Sequence, residues 1–155
     1  RRPTGGGIIF HTCDFTFSLL IPATHHSYSL NPLESYAFIN GAVMEAIGKP
    51  TMALHKEELP AAPTDAFCMA KPTRYDLMWE GRKIGGAAER RMKQGLLHQG
   101  SISLGLPEGA LLQEVLQDGK AVEKAVSQKS SFLTTNGKEP LRLSLIQSLK
   151  RSLAV

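Results

Sequence analysis

Short runs in which apolar and polar residues alternate predict several β-strands in this chain. Residues 15–21 alternate most regularly, and because successive side chains of a strand point to opposite faces, every second residue shares one face. That apolar face comprises Phe15, Phe17, Leu19 and Ile21. Residues 8–10 and 51–55 are predicted to form two further strands.

Residues 74–104 form the stretch around which the chain is organised, with the sequence RYDLMWEGRKIGGAAERRMKQGLLHQGSISL. The pattern predicts two strands joined at Glu80 and Gly81, followed by a basic turn and a third strand. Lys83 lies at the centre, and four small residues follow Ile84. Because glycine weakens a strand, two glycines within one indicate that something approaches the backbone closely. The pattern therefore predicts a phosphate or acyl site around this lysine, or else an ordinary hairpin with a solvated lysine.

A helix with clear boundary signals follows the first strands. Asn31 is suited to cap its N-terminus, Pro32 suits the first turn and Glu34 favours the helix dipole. Gly48 is expected to end the helix. Mostly apolar residues recur at helical spacing on one face, which predicts packing against the sheet and no chemistry. These residues are Leu33, Tyr36, Ala37, Asn40, Val43, Met44 and Ile47.

Three further helices are predicted after the central stretch, at residues 109–116, 120–128 and 140–153. The last is amphipathic, with its apolar residues directed inward. Those residues are Leu141, Leu145, Ile146, Leu149 and Leu153. The order of strands and helices indicates the α+β class, with one mixed or antiparallel sheet and flanking helices in a single domain of residues 1–155.

Composition and charge exclude several classes of protein. The chain has 155 residues, of which 42% are hydrophobic and 21% are charged, as in a soluble globular domain. No apolar run approaches the roughly 20 residues that a membrane-spanning helix needs. The formal net charge of +4 favours an acidic protein partner or an anionic cofactor and is weak evidence for nucleic acid. The two cysteines, Cys13 and Cys68, have no Cys-x-x-Cys spacing and no evident zinc partners, which favours reduced thiols in the cytoplasm over a structural disulfide.

Two segments outside the centre carry candidate chemistry. Arg2 precedes three consecutive glycines at residues 5–7, which either let backbone N–H groups crowd a ligand or form a flexible end. Cys68 lies between apolar residues, a setting that favours an inert thiol, whereas a nearby lysine would favour the reactive thiolate. His25 and His26 have no carboxylate or cysteine at ligand spacing, so no metal site is predicted there.

Four motifs, in their order and spacing, resemble the lipoate–protein ligase and octanoyltransferase family, whose fold is shared with biotin–protein ligases. The motifs are RRPTGGGIIFH, a strand ending SLLIP, YDLMWEGRKIGGAAERR and GLLHQGSISL, and they extend to about residue 104. Each motif is weak alone, but the ordered set is specific. In the family an N-terminal strand–helix portion precedes the first motif, so the resemblance implies a partial catalytic domain. No accessory domain is evident.

The resemblance also implies site residues, each carried over from a matching motif position. The arginine–glycine segment would lie along the acyl chain and the acyl-adenylate, His11 ends that motif, and Lys83 would hold the acyl carbonyl and phosphate oxygens. The other implied contacts are Arg2, Gly5, Gly6, Gly7, Gly85, Gly86, Ala87, Gln99, Gly100 and Ser101. Three positions depart from the family pattern. Thr12 replaces an aspartate, Ala87 replaces the serine of Gly-Ser-Ala, and Gln99 replaces the second histidine.

The reaction that the resemblance implies is that of an ATP-dependent ligase. Lipoate or octanoate attacks the α-phosphate of ATP, accompanied by Mg²⁺, to give an acyl-adenylate. A lysine of a lipoyl carrier domain, in a 2-oxoacid dehydrogenase E2 subunit or the glycine cleavage H protein, then takes the acyl group. Lys83 would act as a protonated electrostatic clamp.

The main alternative is a cysteine-dependent octanoyltransferase that takes its acyl group from an acyl carrier protein. In that branch a cysteine precedes a Pro-x-x-Tyr-[DE] segment, as Cys68 precedes residues 72–76 here, and would carry the acyl group as a thioester. That branch often replaces one glycine of the first motif with arginine, whereas this chain keeps all three. A third hypothesis is a catalytically silent paralogue that binds acyl ligands or lipoyl domains.

Overall fold

The computed structural model describes residues 7–57, 66–133 and 137–153, whose strands pair in one antiparallel sheet. The strands are β1 (Asp14–Pro22), β2 (Met52–Leu54), β3 (Leu77–Trp79), β4 (Arg82–Met92) and β5 (Gly95–Ser103), in the order β1-β5-β4-β3-β2. The helices are α1 (Pro32–Ile47), α2 (Gly109–Val115), α3 (Gly119–Lys129) and α4 (Lys138–Leu153). The predicted α+β class is confirmed.

The three long strands β1, β5 and β4 form most of the sheet, and its two faces differ in polarity. β5 pairs with β1 on one side and with β4 on the other. As the alternation predicts, Phe15 and Phe17 pack against the main core. Thr16 and Ser18, which alternate with them, line a cavity on the opposite, more polar face.

Among the described residues, three clusters of buried side chains hold the layers together, and two of them position the site. The larger cluster joins the sheet to α1 and α4 through residues such as Val43, Ile84 and Leu145. The second cluster, which includes Val126, packs α2 and α3 against a short 3₁₀ turn, Cys68–Ala70. The second cluster therefore holds that turn in place.

Helix α1 begins and ends where the sequence predicts. The side chain of Asn31 accepts two backbone N–H groups of the first turn, and Glu34 accepts the N–H of Asn31 in return, which is a capping box. Gly48 ends the helix at φ +63°, a left-handed conformation that favours glycine.

The C-terminal helices are also present as predicted, with small shifts of their ends. α4 begins at Lys138, two residues earlier than expected. Leu141 and Leu145 are buried, whereas Ile146 and Leu149 are half-buried. Among the described residues, no helix has both the length and the apolar character that crossing a bilayer requires.

Residues 8–10 do not form the predicted strand. Ile8 makes a single parallel bridge with Phe67 instead. Its N–H donates to the carbonyl of Ala66 at 2.6 Å, and its carbonyl accepts the N–H of Cys68 at 2.8 Å. The segment thus pairs with the turn that carries Cys68 and not with the sheet.

Candidate active site

A register shift between β3 and β4 determines where Lys83 points. Leu77 pairs with Gly85, but Met78 pairs with Lys83, so three residues of β4 oppose two of β3. Such a bulge inserts one residue and reverses the alternation of side chains beyond it. Lys83 therefore lies on the side of Gly86, where an added Cβ would come within 3.2 Å of the lysine Cε. Without the bulge, strict alternation would have put the Lys83 side chain on the same face of the sheet as Gly85.

The ammonium group of Lys83 is buried and fully engaged. Its side chain is 1% exposed, and Nζ lies 2.7 Å from Oδ2 of Asp76. It also donates to the carbonyl oxygens of Cys68 at 2.9 Å and Lys71 at 3.2 Å, so three N–H donors meet three oxygens. Sγ of Cys68 lies 3.8 Å from the same nitrogen. The alternative of a solvated lysine is wrong: the site holds a fixed positive charge beside a thiol.

Asp76 anchors the lysine and is itself buried. Its Oδ2 accepts the backbone N–H of Thr73 at 2.7 Å and the Thr73 hydroxyl at 2.8 Å. Its Oδ1 lies 2.9 Å from the hydroxyl oxygen of Tyr36. Because both carboxylate oxygens are hydrogen-bonded and one faces an ammonium, the cost of removing this charge from water is largely offset.

Tyr36, a residue of α1, connects that helix to the site through hydrogen bonds. Its hydroxyl oxygen accepts the N–H of Ala87 at 2.7 Å and lies 2.9 Å from the Ala87 carbonyl oxygen as well as from Asp76. Burial, and then the charge of Asp76, raise the pKa of Tyr36, so the hydroxyl stays protonated. The sequence predicts α1 as core without chemistry. The structure adds a polar brace, because this side chain is long enough to reach β4.

A cavity of about 690 Å³ lies on the polar face of the sheet, and Cys68 forms part of its wall. The sequence-predicted residues that line it are His11, Cys68, Gly86, Ala87, Gln99, Gly100 and Ser101. Lys83 and Gly85 are buried behind that wall. Arg2, Gly5 and Gly6 lie outside the described residues.

The glycines expected to admit a ligand give room to the protein's own atoms. A Cβ at Gly7 would lie 2.6 Å from the carbonyl oxygen of Ala66, and one at Gly86 would lie 2.5 Å from Oδ1 of Asp76. Both distances are far below van der Waals contact. These glycines therefore let the segments that carry Cys68 and Asp76 approach closely.

A carboxylate that sequence reasoning missed, that of Asp14, also lines the cavity and pairs with the predicted residue His11. Nδ1 of His11 lies 2.6 Å from Oδ2 of Asp14, and the hydroxyl of Ser101 donates to the same oxygen at 2.5 Å. Thr12 departs from the family aspartate, but Asp14, two residues on, provides the carboxylate. The alternation of β1 carried the signal, because Asp14 shares a face with Thr16.

Strand alternation also separates two neighbouring polar residues of β5. Gln99 faces the cavity, whereas His98 is fully buried on the opposite face. Nδ1 of His98 lies 2.9 Å from Oε1 of Glu89, whose other oxygen accepts the hydroxyl of Ser35 at 2.9 Å. His98 therefore belongs to the packing between the sheet and α1.

The fold is similar to that of solved lipoate and biotin protein ligases. Protein Ta0514 of Thermoplasma acidophilum, solved with bound lipoic acid, superposes with a TM-score of 0.72 at 21% identity, over 99% of this chain and 57% of that chain. A lipoate-protein ligase A bound with ATP superposes with a TM-score of 0.70 at 20% identity, over 99% of this chain and 57% of that chain. Biotin protein ligase from Aquifex aeolicus gives 0.58 at 14% identity, over 90% of this chain and 52% of that chain. The chain thus has the fold of the lipoate and biotin protein ligases.

Sequence comparison specifies the family. Residues 1–106 match the biotin/lipoate A/B protein ligase family, and the chain belongs to that family, as its motifs predict. Octanoyltransferase LipM of Geobacillus kaustophilus is 33% identical over 120 residues, which are 72% of this chain and 43% of the relative. LipM of Bacillus subtilis is 29% identical over 137 residues, 83% of this chain and 49% of the relative. The chain spans about half the length of these curated relatives.

Proposed function

We propose that the protein is a cysteine-dependent acyltransferase that moves an octanoyl group from an acyl carrier protein to a lysine of a lipoyl domain. The observation that carries this proposal is the fixed ammonium of Lys83, 3.8 Å from Sγ of Cys68, at the wall of a cavity of about 690 Å³. A positive charge beside a cysteine favours the nucleophilic thiolate. The similarity to LipM octanoyltransferases supports the same activity.

The first transfer forms a thioester on Cys68. The thiolate sulfur attacks the carbonyl carbon of the donor thioester and forms a new C–S bond. The bond to the carrier's sulfur then breaks, and the carrier leaves as a thiolate that takes up a proton. Lys83 stabilises the negative charge on Cys68 by its position and gives up no proton, because its three N–H groups are held by oxygens.

The second transfer moves the acyl group to a lysine amine and restores Cys68. Several cavity residues are proposed to bind the acyl chain and its carbonyl group, in line with the motif positions they occupy. These residues are His11, Gly86, Ala87, Gln99, Gly100 and Ser101. The acceptors implied by the family are lipoyl domains of E2 subunits and the glycine cleavage H protein, and a related fold was solved in a lipoylation system with its E2 lipoyl domain.

An ATP-dependent lipoate ligase is the second candidate, favoured by the three consecutive glycines at residues 5–7. ATP with Mg²⁺ and lipoic or octanoic acid would then be the substrates. In that reaction Lys83 would hold the phosphate and the acyl carbonyl. The geometry is less suited to this role, since Asp76 and two carbonyl oxygens already occupy the donors of the lysine.

A comparison of two acyl donors distinguishes these functions. The protein is incubated with a lipoyl domain and either octanoyl-carrier protein without nucleotide, or octanoate with ATP and Mg²⁺, and the mass of the lipoyl domain is measured. We expect octanoylation from the carrier alone, and its loss in Cys68→Ser. Octanoylation that requires ATP and survives Cys68→Ser would establish the ligase, and no octanoylation from either donor would favour a silent binding protein.

A further inference from the structure

The face of the sheet that carries the cavity continues beyond it, and there its side chains change from polar to apolar. The last row of cavity residues crosses the three long strands, and it consists of Ser18, Gln99 and Ala88. Because every second residue of a strand shares a face, the next row lies two residues along each strand, about 7 Å away. That row consists of Leu20, Leu97 and Arg90.

The apolar side chains of this region are open to solvent. Leu20 is 74% exposed, and Met92, one row beyond Arg90 on β4, is 39% exposed. Leu97 lies between them on β5 and is half-buried. These three side chains, Leu20, Leu97 and Met92, are called the distal patch. Single exposed leucines are ordinary, but a group of neighbouring apolar side chains beside a cavity is typical of a binding surface.

The charges around the distal patch are positive. Arg90 lies in the same row as Leu20, and Lys93 follows Met92 in the turn between β4 and β5; both residues are exposed. The carboxylate of Glu89 lies on the opposite face of the sheet, where it meets Nδ1 of the buried His98 at 2.9 Å. The distal patch is therefore suited to a partner whose facing surface is acidic with an apolar centre.

The size of an interface and the reach of a lysine indicate which partner covers this surface. A lysine side chain extends only about 6 Å from its Cα, so the domain that presents it to Cys68 must lie against the rim of the cavity. A stable interface covers about 800 Å² on each partner, a surface roughly 30 Å across. Such a footprint, centred on the cavity, includes the distal patch. An acyl carrier protein presents its thioester on a long flexible arm, so its body needs no contact this close.

Resting on the proposed acyltransferase function, we propose that the distal patch, with Arg90 and Lys93, is the docking surface for the acceptor domain. The domain that binds here carries acidic side chains around its target lysine. Contact with Leu20 and Met92 supplies affinity, and the two cations orient the domain and speed its approach.

Equilibrium binding tests the surface without relying on catalysis. An unmodified lipoyl domain is titrated into the protein, and its Kd is measured by calorimetry. We expect Leu20→Glu, which puts a negative charge into the distal patch, to raise the Kd at least about 10-fold. The double variant Arg90→Glu with Lys93→Glu should also raise the Kd and weaken its dependence on salt. Leu143→Glu, a change at a 50% exposed leucine of α4, is the matched control and should leave the Kd unchanged.

Kinetics of the two transfers separate an acceptor surface from a donor surface. Leu20→Glu should load Cys68 from octanoyl-carrier protein with the wild-type dependence on carrier concentration. Once loaded, it should need about 10-fold more lipoyl domain for half-maximal transfer, at an unchanged maximal rate. This pattern is expected because the patch contacts the body of the domain and not the reacting atoms.

Three outcomes distinguish this proposal from the proposed function. An unchanged Kd and unchanged transfer in Leu20→Glu would overturn the docking surface and leave the acyltransferase standing. Loading that needs more carrier protein, followed by normal transfer, would also overturn it, because the patch would then receive the donor. A wild type that binds the lipoyl domain through the distal patch but never loads at Cys68 would overturn the acyltransferase and leave the docking surface standing.

Discussion

At the scale of single residues, Lys83 and Asp76 depend on each other, because each is 1% exposed and each is the other's counter-charge. Removing one partner leaves an unpaired charge in the interior, which costs more than removing both. We expect Lys83→Met to lower the free energy of unfolding by about 3–5 kcal/mol. Urea denaturation measures this change.

The same measurement provides its own controls. The double variant Asp76→Asn with Lys83→Met should lose less stability than the two single changes added together. Glu139→Gln, which breaks an exposed pair with Arg142, should cost less than about 1 kcal/mol. Additive losses at the buried pair, or equal losses at both pairs, would contradict a coupled buried ion pair.

Tyr36 makes stability depend on alkaline pH. Its pKa is raised in the folded protein, so the unfolded chain releases the phenolic proton first, above its ordinary value of about 10. The stabilisation is therefore complete below about pH 10 and is lost as the pH rises further, with a slope of at most about 1.4 kcal/mol per pH unit. Chemical denaturation at a series of pH values should show a shallower alkaline loss in Tyr36→Phe. Parallel curves would exclude this contribution.

Single residues also show where sequence reasoning stops. Lys83 and Cys68 are found by their motifs, but the ion pair with Asp76 is not, because it depends on how two segments meet. Tyr36 recurs at the same helical spacing as the apolar core residues of α1, so the sequence pattern does not distinguish it from them. Its contact with Ala87 depends on how closely α1 approaches β4. Asp14 was predictable in part, since the alternation of β1 puts its side chain on the same face of the strand as that of Thr16.

At the scale of elements, the absence of a side chain at Gly86 in β4 leaves room for the Lys83–Asp76 ion pair. A Cβ at Gly86 would lie 2.5 Å from Oδ1 of Asp76, so Gly86→Ala must displace that carboxylate. We expect a loss of about 1–3 kcal/mol in unfolding free energy and slower loading of Cys68. Denaturation and intact mass report the two effects.

A second glycine offers a matched control for that change. Gly41 lies within α1, and an added Cβ there meets no atom within 4 Å. Gly41→Ala should stabilise the protein by about 0.5–1 kcal/mol and leave loading unchanged, because alanine favours helix. A Gly86→Ala variant that behaves like Gly41→Ala would show that β4 tolerates a side chain at this point.

Elements with a regular period were predictable, and those set by pairing were not. The alternation of residues 15–21 and the capping signals at Asn31 and Gly48 gave β1 and α1. The bulge between β3 and β4 has no sequence signature, because it exists only in the register of two strands. Residues 8–10 look like a strand, but the backbone of Ile8 pairs with the turn of Cys68.

At the scale of the whole molecule, the ordered motifs predicted the family and the fold together. They left the acyl donor open, because the same motifs occur in ligases and transferases. The placement of Cys68 in the cavity wall beside a fixed ammonium favours the transferase. The net charge of +4 is compatible with an acidic protein as acyl donor or acceptor.

The central claim is that Cys68 carries the acyl group, and intact mass spectrometry tests it most directly. The protein is mixed with octanoyl-carrier protein in the absence of ATP, the reaction is quenched in acid, and the intact mass of the protein is measured. The variants Cys68→Ser and Cys13→Ser are treated in the same way. We predict one octanoyl adduct on the wild type and on Cys13→Ser, removed by hydroxylamine, and none on Cys68→Ser. An adduct that persists in Cys68→Ser, or a wild type that stays unmodified while it octanoylates a lipoyl domain, would contradict the account.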